Sequence, residues 1–436
     1  MTSVDLSHLA IRPPINPSKY DIIPIHSSDR AAFKFCRRKW AWSSPAKLNL
    51  IPKASVYGVQ ENLWFGLGIH HALEHYYNPS FTEHPTFSFA AWFDLQWLGG
   101  TVTKDEVKQF ADRDPQPRSD GTFKVSGLAD ILDSEEKKEK ILAYKELGEG
   151  MLNFYVGYAE QHDNFRVILT EHDFSVPVLS PDGAPLYWHD TRVMPEGWEP
   201  DFDTGNEFGP YMHQNGNGTI LKQVHVRGRT DVIVQDQEHG RYGIRDYKTA
   251  SRIDNDYFRH LELDEQCTSY LTFGQLEARM YDLEFSELEY IDYVALLKAY
   301  PKPPTFTSKG LPSLNRQTES TTAKMFEDAV LSQPHLRMIF DADEKMQNYY
   351  SWLLTVGDER FIDVSTTWRN HTQRKNASLR LYYEALDMLR DPVAYPNPTK
   401  NYSCLNCVFR APCIMAEDGS DYQACLEDGY MPNWDR

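Results

Sequence analysis

Val226-Arg227-Gly228-Arg229-Thr230-Asp231-Val232-Ile233-Val234, followed by Gly243-Ile244-Arg245-Asp246-Tyr247-Lys248-Thr249, is the stretch on which the reading of this chain turns. The β-branched residues and the intervening Glu238-His239-Gly240 read as two strands joined by a tight turn, a hairpin. Residues two apart in a strand share a face, so Asp246 and Lys248 project together while Asp231 arrives from the neighbouring strand. Two carboxylates and an ammonium then converge. Carboxylates so placed can hold a hard divalent cation, and the lysine can steer or deprotonate a water beside it. A surface strand with an ordinary Asp/Lys pair has the same local pattern and contributes little, so the rest of the chain has to decide.

The chain has 436 residues, 41% of them hydrophobic and 13% aromatic, enough for two or three domains or for one core carrying large insertions. No run is long and apolar enough to cross a bilayer, and the start, MTSVDLSHLAIRPP, lacks the basic and apolar regions of a secretory signal. The expectation is a cytoplasmic protein without a membrane partner. A net charge of -18 argues against general affinity for phosphates. Its distribution matters more: residues 31 to 60 carry Lys34, Arg37, Arg38, Lys39, Lys47 and Lys53 without an acid, and Thr366 to Arg380 carries Arg369, Arg374, Lys375 and Arg380 likewise. These basic stretches are either solvated helix faces or guides for a polyanion.

Along the chain, the Pro- and Ser-rich residues 1–30 read as a surface arm. Residues 31–79 hold a basic-aromatic segment through Trp40 and Trp42, then a helix over Glu61 to Tyr77 with Leu63, Leu67, Leu73 and Tyr77 near one face. That helix carries His70, His71, Glu74 and His75. Residues 80–165 read as a helical insertion. Residues 166–300 form the core, with a strand over Val167 to Val178 containing Glu171, an irregular excursion from Pro181 to Gly218, the hairpin, a helix from Asp254 to Tyr281, and a strand from Glu289 to Leu297. Residues 301–400 are mainly helical, and 401–436 hold a cysteine cluster and tail. Strands interleaved with helices indicate an α/β fold.

Six cysteines in such a chain are not a secreted disulfide framework. Cys36 stands near the start and Cys404, Cys407 and Cys413 close together near the end, and a C-x2-C-x5-C set reads as a metal site before it reads as disulfides.

Five ordered motifs together resemble the RecB/AddB-type branch of the PD-(D/E)XK nuclease superfamily, which includes CRISPR-associated adaptation nucleases and phage exonucleases. Gly66-Leu67-Gly68-Ile69-His70 with Leu73-Glu74 resembles the first motif, Gly228-Arg229-Thr230-Asp231 the second, and Asp246-Tyr247-Lys248-Thr249 the D-x-K-T signature. Gln266-Cys267-Thr268-Ser269-Tyr270 resembles Q-x-x-x-Y, and Cys36-Arg37-Arg38-Lys39-Trp40 with Tyr402 through Cys413 resembles the cysteine bracket. The resemblance covers about Ala31 to Cys413, broken by the two long insertions. It implies a restriction-endonuclease-like core with a mixed central sheet flanked by helices, a large helical insertion and a C-terminal iron–sulfur clasp.

For function, the resemblance implies an Mg2+- or Mn2+-dependent deoxyribonuclease, an exonuclease at single-stranded DNA ends in recombination, repair or phage DNA metabolism, with a possible helicase or recombinase partner. His70, Asp231, Asp246 and the Tyr247 carbonyl would be metal ligands, and Lys248 would activate water. Gln266, Tyr270, Arg37 and Arg38 would face substrate. Cys36, Cys404, Cys407 and Cys413 would hold a [4Fe-4S] cluster pinning the two ends of the domain together. The same four thiolates could instead hold zinc, and Cys425 could replace Cys36.

Two other readings compete. His71-Ala72-Leu73-Glu74-His75 is an H-x-x-E-H string, the inverted zinc-protease motif, which needs a third ligand further on, such as Glu171. It leaves Asp231, Asp246, Lys248 and the cysteines unexplained. The other is a non-catalytic DNA-binding or interaction protein on the same fold, which the loss of a site residue would favour, yet His70, Asp231, Asp246 and Lys248 are all present. Glu171 is either a supporting site residue or an exposed strand position. Trp40 and Trp42 either stack on unpaired bases or pack internally.

Overall fold

The computed structural model describes residues 22–433 apart from 46, 82, 105, 114, 190–211, 215–219, 255–256, 358–359, 391–394 and 397–403. Its centre is a mixed sheet whose path runs through β1 (Ile22–His26), β3 (Ile220–Asp236), β4 (Tyr242–Ala250), β5 (Leu288–Leu297) and β6 (Ile362–Trp368), with β2 (Phe165–Pro177) also paired to β3. β1 is parallel to β3 and β5 to β4, while the β3–β4, β2–β3 and β5–β6 pairs are antiparallel.

Alternation along the strands builds a core on each face. Val226, Ile233, Ile244 and Ile291 join one, with Phe33, Trp40, Phe174, Leu271 and Leu381. Val232, Val234, Tyr247 and Val294 join the other, with Phe65, Ile69, Phe89, Leu152 and Tyr155. The expected hairpin forms, with Gly240 at φ +70 in its turn and the Asp236 carboxylate accepting the Glu238 and His239 amides at 2.8 Å.

The first face is covered by α1 (Ser27–Phe35), α2 (Arg37–Ser43), a helix that starts as α6 (Glu265–Ser269) and α8 (His371–Arg390); the second by α3 (Glu61–Tyr77), α4 (Pro85–Leu98) and α5 (Glu135–His162). Each helix of the second group has a readable cause. Pro85 opens α4 at a position where no amide donor is needed, and Ser134 caps α5 by accepting the Lys137 amide, with Glu135 and Glu136 in its first turn. Thus the inserted segment 80–165 supplies two of the helices that close the core. A small sheet of Gly99–Val102, Gln116–Pro117 and Phe123–Ser126 accompanies them.

Several sequence expectations change here. The N-terminal arm contains β1, whose Ile22, Ile23 and Ile25 are buried; IIPIH follows a Pro-rich run and looks irregular only in isolation. Leu63 and Leu67 point outward, and α3 instead buries Trp64, Phe65, Gly68, Ile69, Ala72, Leu73 and Tyr77. The helix expected over Asp254 to Tyr281 is shorter and broken: Arg259–Glu262 is a 3-10 turn, and α6 continues through a π-turn at Tyr270–Gly274 into α7 (Gln275–Met280). The helical reading of the C-terminal part missed β6. Most of the excursion expected over 181–218 lies outside the described residues; Tyr187–His189 and Met212–Gln214 pair with the start of β3.

The basic stretches and tryptophans also resolve. Trp40 and Trp42 are buried and pack on Phe33 and Phe409, so they are core residues. Arg369 is buried and donates to Thr268 and the Leu261 carbonyl, while Arg374 donates to the carbonyls of Leu271 and Leu288. Arg380 pairs with Glu265, and Lys34 with Glu265 and Glu384. Most of these cations pin elements together, and Lys375 stands exposed.

Candidate active site

β1 pairs with β3 only as far as Arg227, and β4 pairs with it only from Val232 onward. Between those two partners Gly228, Arg229, Thr230 and Asp231 belong to neither ladder. At that gap the Asp231 carboxylate accepts the Tyr247 amide at 2.7 Å, replacing a backbone acceptor that β4 has left behind. Asp246 and Lys248 follow the strand parity of Ile244, and their side chains form an ion pair at 2.6 Å. Asp246 is 2% exposed, and its Oδ1 is buried without a hydrogen-bond partner among the described residues. A bare carboxylate oxygen in that position is costly and suited to receive a ligand.

A glycine lets the other parts close in. A Cβ at Gly68 would overlap the Trp92 ring, so this residue allows α3 to seat against α4, while one at Gly66 would come into ordinary contact with Thr249 Oγ1 at the end of β4 at 3.4 Å. That seating brings His70 Nδ1 to 3.3 Å from Asp231 Oδ2. From the other side β2 delivers Glu171, which lies opposite Asp231 between the pairs Thr170↔Val232 and His172↔Thr230. Glu171 holds φ +46, a left-handed conformation unfavourable for a residue with a side chain. One donor atom each from His70, Glu171 and Asp231 lies within 4.8 Å of the others.

The charges in this cleft push on one another. For Asp231 burial raises the pKa, but His70, Lys248 and the Tyr247 amide outweigh it and hold the group below its ordinary value. Burial and the nearby Asp231 push Asp246 up against the pull of Lys248. Burial, then Asp231 and Glu74, raise Glu171 to about 8. For His70 and Lys248 burial opposes the charge, yet the carboxylates prevail and both titrate above their ordinary values. Lys248 therefore stays an ammonium at neutral pH.

Gln266 Nε2 donates to the Tyr270 hydroxyl at 2.6 Å. The Tyr270 ring packs on Phe174, and a Cβ at Gly228 would stand 3.2 Å from it; its phenol also feels Asp246 and Lys248. The Q-x-x-x-Y pair thus borders the carboxylates, at a π-turn of the kind often found at functional positions. Arg37 and Arg38 are not brought to this cleft. The Arg37 guanidinium lies over the Phe33 ring, and Arg38 Nη1 reaches Cys413 Sγ at 3.4 Å and Glu417 at 2.9 Å. Cys36, Cys404, Cys407 and Cys413 line one cavity of about 360 Å³. Cys267 is buried, and Cys425 lies beside Tyr57.

Behind the site is a polar network that sequence reasoning missed. Tyr247 and Arg245 alternate with Asp246 and so face the opposite way. The Tyr247 hydroxyl accepts from Arg245 Nε at 3.2 Å and lies in hydrogen-bond contact with the Tyr155 hydroxyl at 3.1 Å. Tyr77 bridges Tyr155 and Asp163 at 2.5 Å each, and Arg245 pairs with Asp163 at 3.3 Å and Asp292 at 3.4 Å. Its signal was faint: an Arg and a Tyr flanking the D-x-K aspartate in a strand otherwise buried on both faces.

This geometry defines a restriction-endonuclease-like α/β fold whose sheet splits at a cluster of acids, a histidine and a lysine. The family model of the PD-(D/E)XK nuclease superfamily matches residues 28–414, and the chain belongs to that superfamily. Its members are nucleases of DNA that typically use divalent metals. No curated protein matches the chain. Among the described residues no helix is long and apolar enough to cross a membrane.

Proposed function

We propose that the protein is an Mg2+- or Mn2+-dependent deoxyribonuclease, an exonuclease acting at single-stranded DNA ends, with His70, Glu171, Asp231, Asp246 and Lys248 as its centre. The observation that carries this reading is the buried, unpartnered Asp246 Oδ1 beside a grouped imidazole and two carboxylates. An oxygen-rich donor set with one imidazole fits a hard divalent cation. His70, Asp231 and Asp246 would hold it, with Glu171 and the Tyr247 carbonyl as further ligands. When bound, such a cation supplies Lewis acidity to the phosphate and lowers the pKa of a water.

The chain's own groups do the rest. Lys248, kept protonated by its two carboxylate neighbours, donates hydrogen bonds to the attacking water and to charge developing on phosphate, and so acts as a positioning donor rather than a base. Asp231 holds the Tyr247 amide and with it the backbone beside Asp246. Gln266 and Tyr270 border the cleft as substrate contacts. The choice of single-stranded ends, and a helicase or recombinase partner, rest on the resemblance of the ordered motifs to the RecB/AddB branch.

For the cysteine bracket we infer a [4Fe-4S] cluster on Cys36, Cys404, Cys407 and Cys413. What supports it is the resemblance of the cysteine bracket and the gathering of its two ends at one place. Cys36, from near the start of the chain, and Cys404, Cys407 and Cys413, from near its end, line one cavity. Arg38 beside Cys413 supplies a donor to a thiolate. When bound, a cluster supplies a cross-link between the ends of the domain.

Degradation of 5'- and 3'-labelled single- and double-stranded DNA tests the activity, polarity and strand preference together. Asp246→Ala and Lys248→Ala are each expected to abolish Mg2+-dependent cleavage with the fold intact, and undiminished cleavage by both would sink the assignment. Anaerobically purified protein should be brown with about four irons per chain; a colourless protein with one zinc would refute the cluster.

A further inference from the structure

Helix α3 carries a second set of ligating side chains that the nuclease centre leaves unused. His71, Glu74 and His75 each place a donor atom within 4.8 Å of the other two. On a helix, Glu74 lies about 40° around from His70, His71 about 100° and His75 about 140°. The set therefore begins at the rim of the nuclease centre and turns away from it.

Three features indicate a built site. His75 Nδ1 lies 2.9 Å from the His71 carbonyl. A carbonyl only accepts, so Nδ1 carries the proton and Nε2 keeps its lone pair, the arrangement by which metal-ligating histidines are oriented. Phe81 packs on the His75 ring at 4.3 Å and holds it in place. Among the described residues, neither the His71 ring nor the Glu74 carboxylate is engaged in a hydrogen bond or ion pair, and all three side chains are only half-buried.

We propose that His71, Glu74 and His75 bind a transition-metal cation, Zn2+ by their donor set, at a site separate from the nuclease centre. Two imidazoles and one carboxylate suit zinc, whereas the oxygen-rich neighbouring cluster suits Mg2+ or Mn2+. Three protein ligands leave a position open to water or to an anionic ligand. The arrangement does not extend to peptide hydrolysis. The H-x-x-E-H scheme would free Glu74 as a base and take Glu171 as third ligand, but Glu171 is grouped with His70 and Asp231.

Anaerobic titration of the full-length protein with Co2+, which replaces zinc and absorbs visibly, tests this independently of DNA cleavage. Wild type should take up one Co2+ in addition to any held by the nuclease centre, with the weak absorption of nitrogen and oxygen ligation and without thiolate charge transfer. His71→Ala/His75→Ala should lose that ion, while Asp231→Asn and Asp246→Asn should keep it. Equal uptake by wild type and the double variant would overturn the site. So would loss of the ion in Asp231→Asn, which would assign it to the nuclease centre, or thiolate absorption alone. Circular dichroism checks the fold. Should the double variant unfold, His75→Gln gives the same test, with Co2+ affinity expected to fall more than about 10-fold and unchanged affinity overturning the proposal.

Discussion

The two faces of β4 handle buried polarity in opposite ways. Arg245 and Tyr247 turn toward a network in which Tyr77, Tyr155, Asp163 and Asp292 answer each charge with an opposite charge or a hydroxyl, the one buried oxygen without a hydrogen bond, Asp163 Oδ1, still being paired with Arg245. Asp246 and Lys248 turn toward a cleft where acids crowd one another, one carboxylate oxygen has no partner, and Glu171 is held in a left-handed conformation. The comparison teaches that a single strand can be anchored on one side so that it can be frustrated on the other. Fixed dipoles and charges awaiting a ligand are what an active site needs, and their cost must be offset nearby.

This contrast can be broken from either side. The largest effect is expected in the cleft: Asp246→Ala or Lys248→Ala should lower Mg2+-dependent cleavage by about 1000-fold or more, read from labelled DNA. Chelation of divalent cations by EDTA should give a comparable loss, restored by added Mg2+ or Mn2+. The network should respond in stability. Asp163→Ala strips Tyr77 and Arg245 of a shared partner and is expected to cost about 3 kcal/mol, while Tyr155→Phe should cost about 1–2 kcal/mol, both from urea unfolding.

Asp246→Asn sharpens the comparison. It removes a buried charge while Lys248 keeps Asp231 nearby, so metal-free stability should fall by less than in Asp163→Ala although cleavage is lost. A large destabilisation by this variant would mean that both faces are structural.

A pH-dependent effect comes from a buried polar group on β3. His225 is held between Gln223 at 2.6 Å and Ser175 at 2.9 Å, and burial, with Arg227, lowers its pKa to about 4. An unfolded histidine binds its proton near pH 6.5, so between there and pH 4 the unfolded chain holds more protons and stability falls as pH falls. From pH 7 to 5 the loss should be about 2 kcal/mol. His225→Asn should lack that component of the pH dependence.

How much of this was legible in the sequence depends on the range over which each feature is encoded. The hairpin was readable because strand parity and a Gly turn are local, and the α/β class followed from it. The grouping of His70 with Asp231 required α3 to sit on β4, and the G-x-G preceding the histidine was a usable trace only of the close approach of α3 to α4. β1 and β6 were lost because IIPIH and IDVSTTW are short and lie beside Pro-rich or helical stretches; only pairing with distant strands makes them strands. Arg369 and Arg374 read as a basic patch because charge in a sequence does not reveal burial. Glu171 stayed open because only the pairing of β2 with the distant β3 sets it opposite Asp231.

The pairing of β1 with β3 also bears on how the molecule comes into being. Residues 22–26 leave the ribosome early, yet their partners at 223–227 follow much later, and β6 and the last cysteines later still. Contacts between such distant stretches form late and slow folding. The open edge of β3 between its two neighbours, and with it the cleavage cleft, cannot exist until β4 has been made, so a product truncated ahead of it should be inert rather than a loose nuclease in the cell.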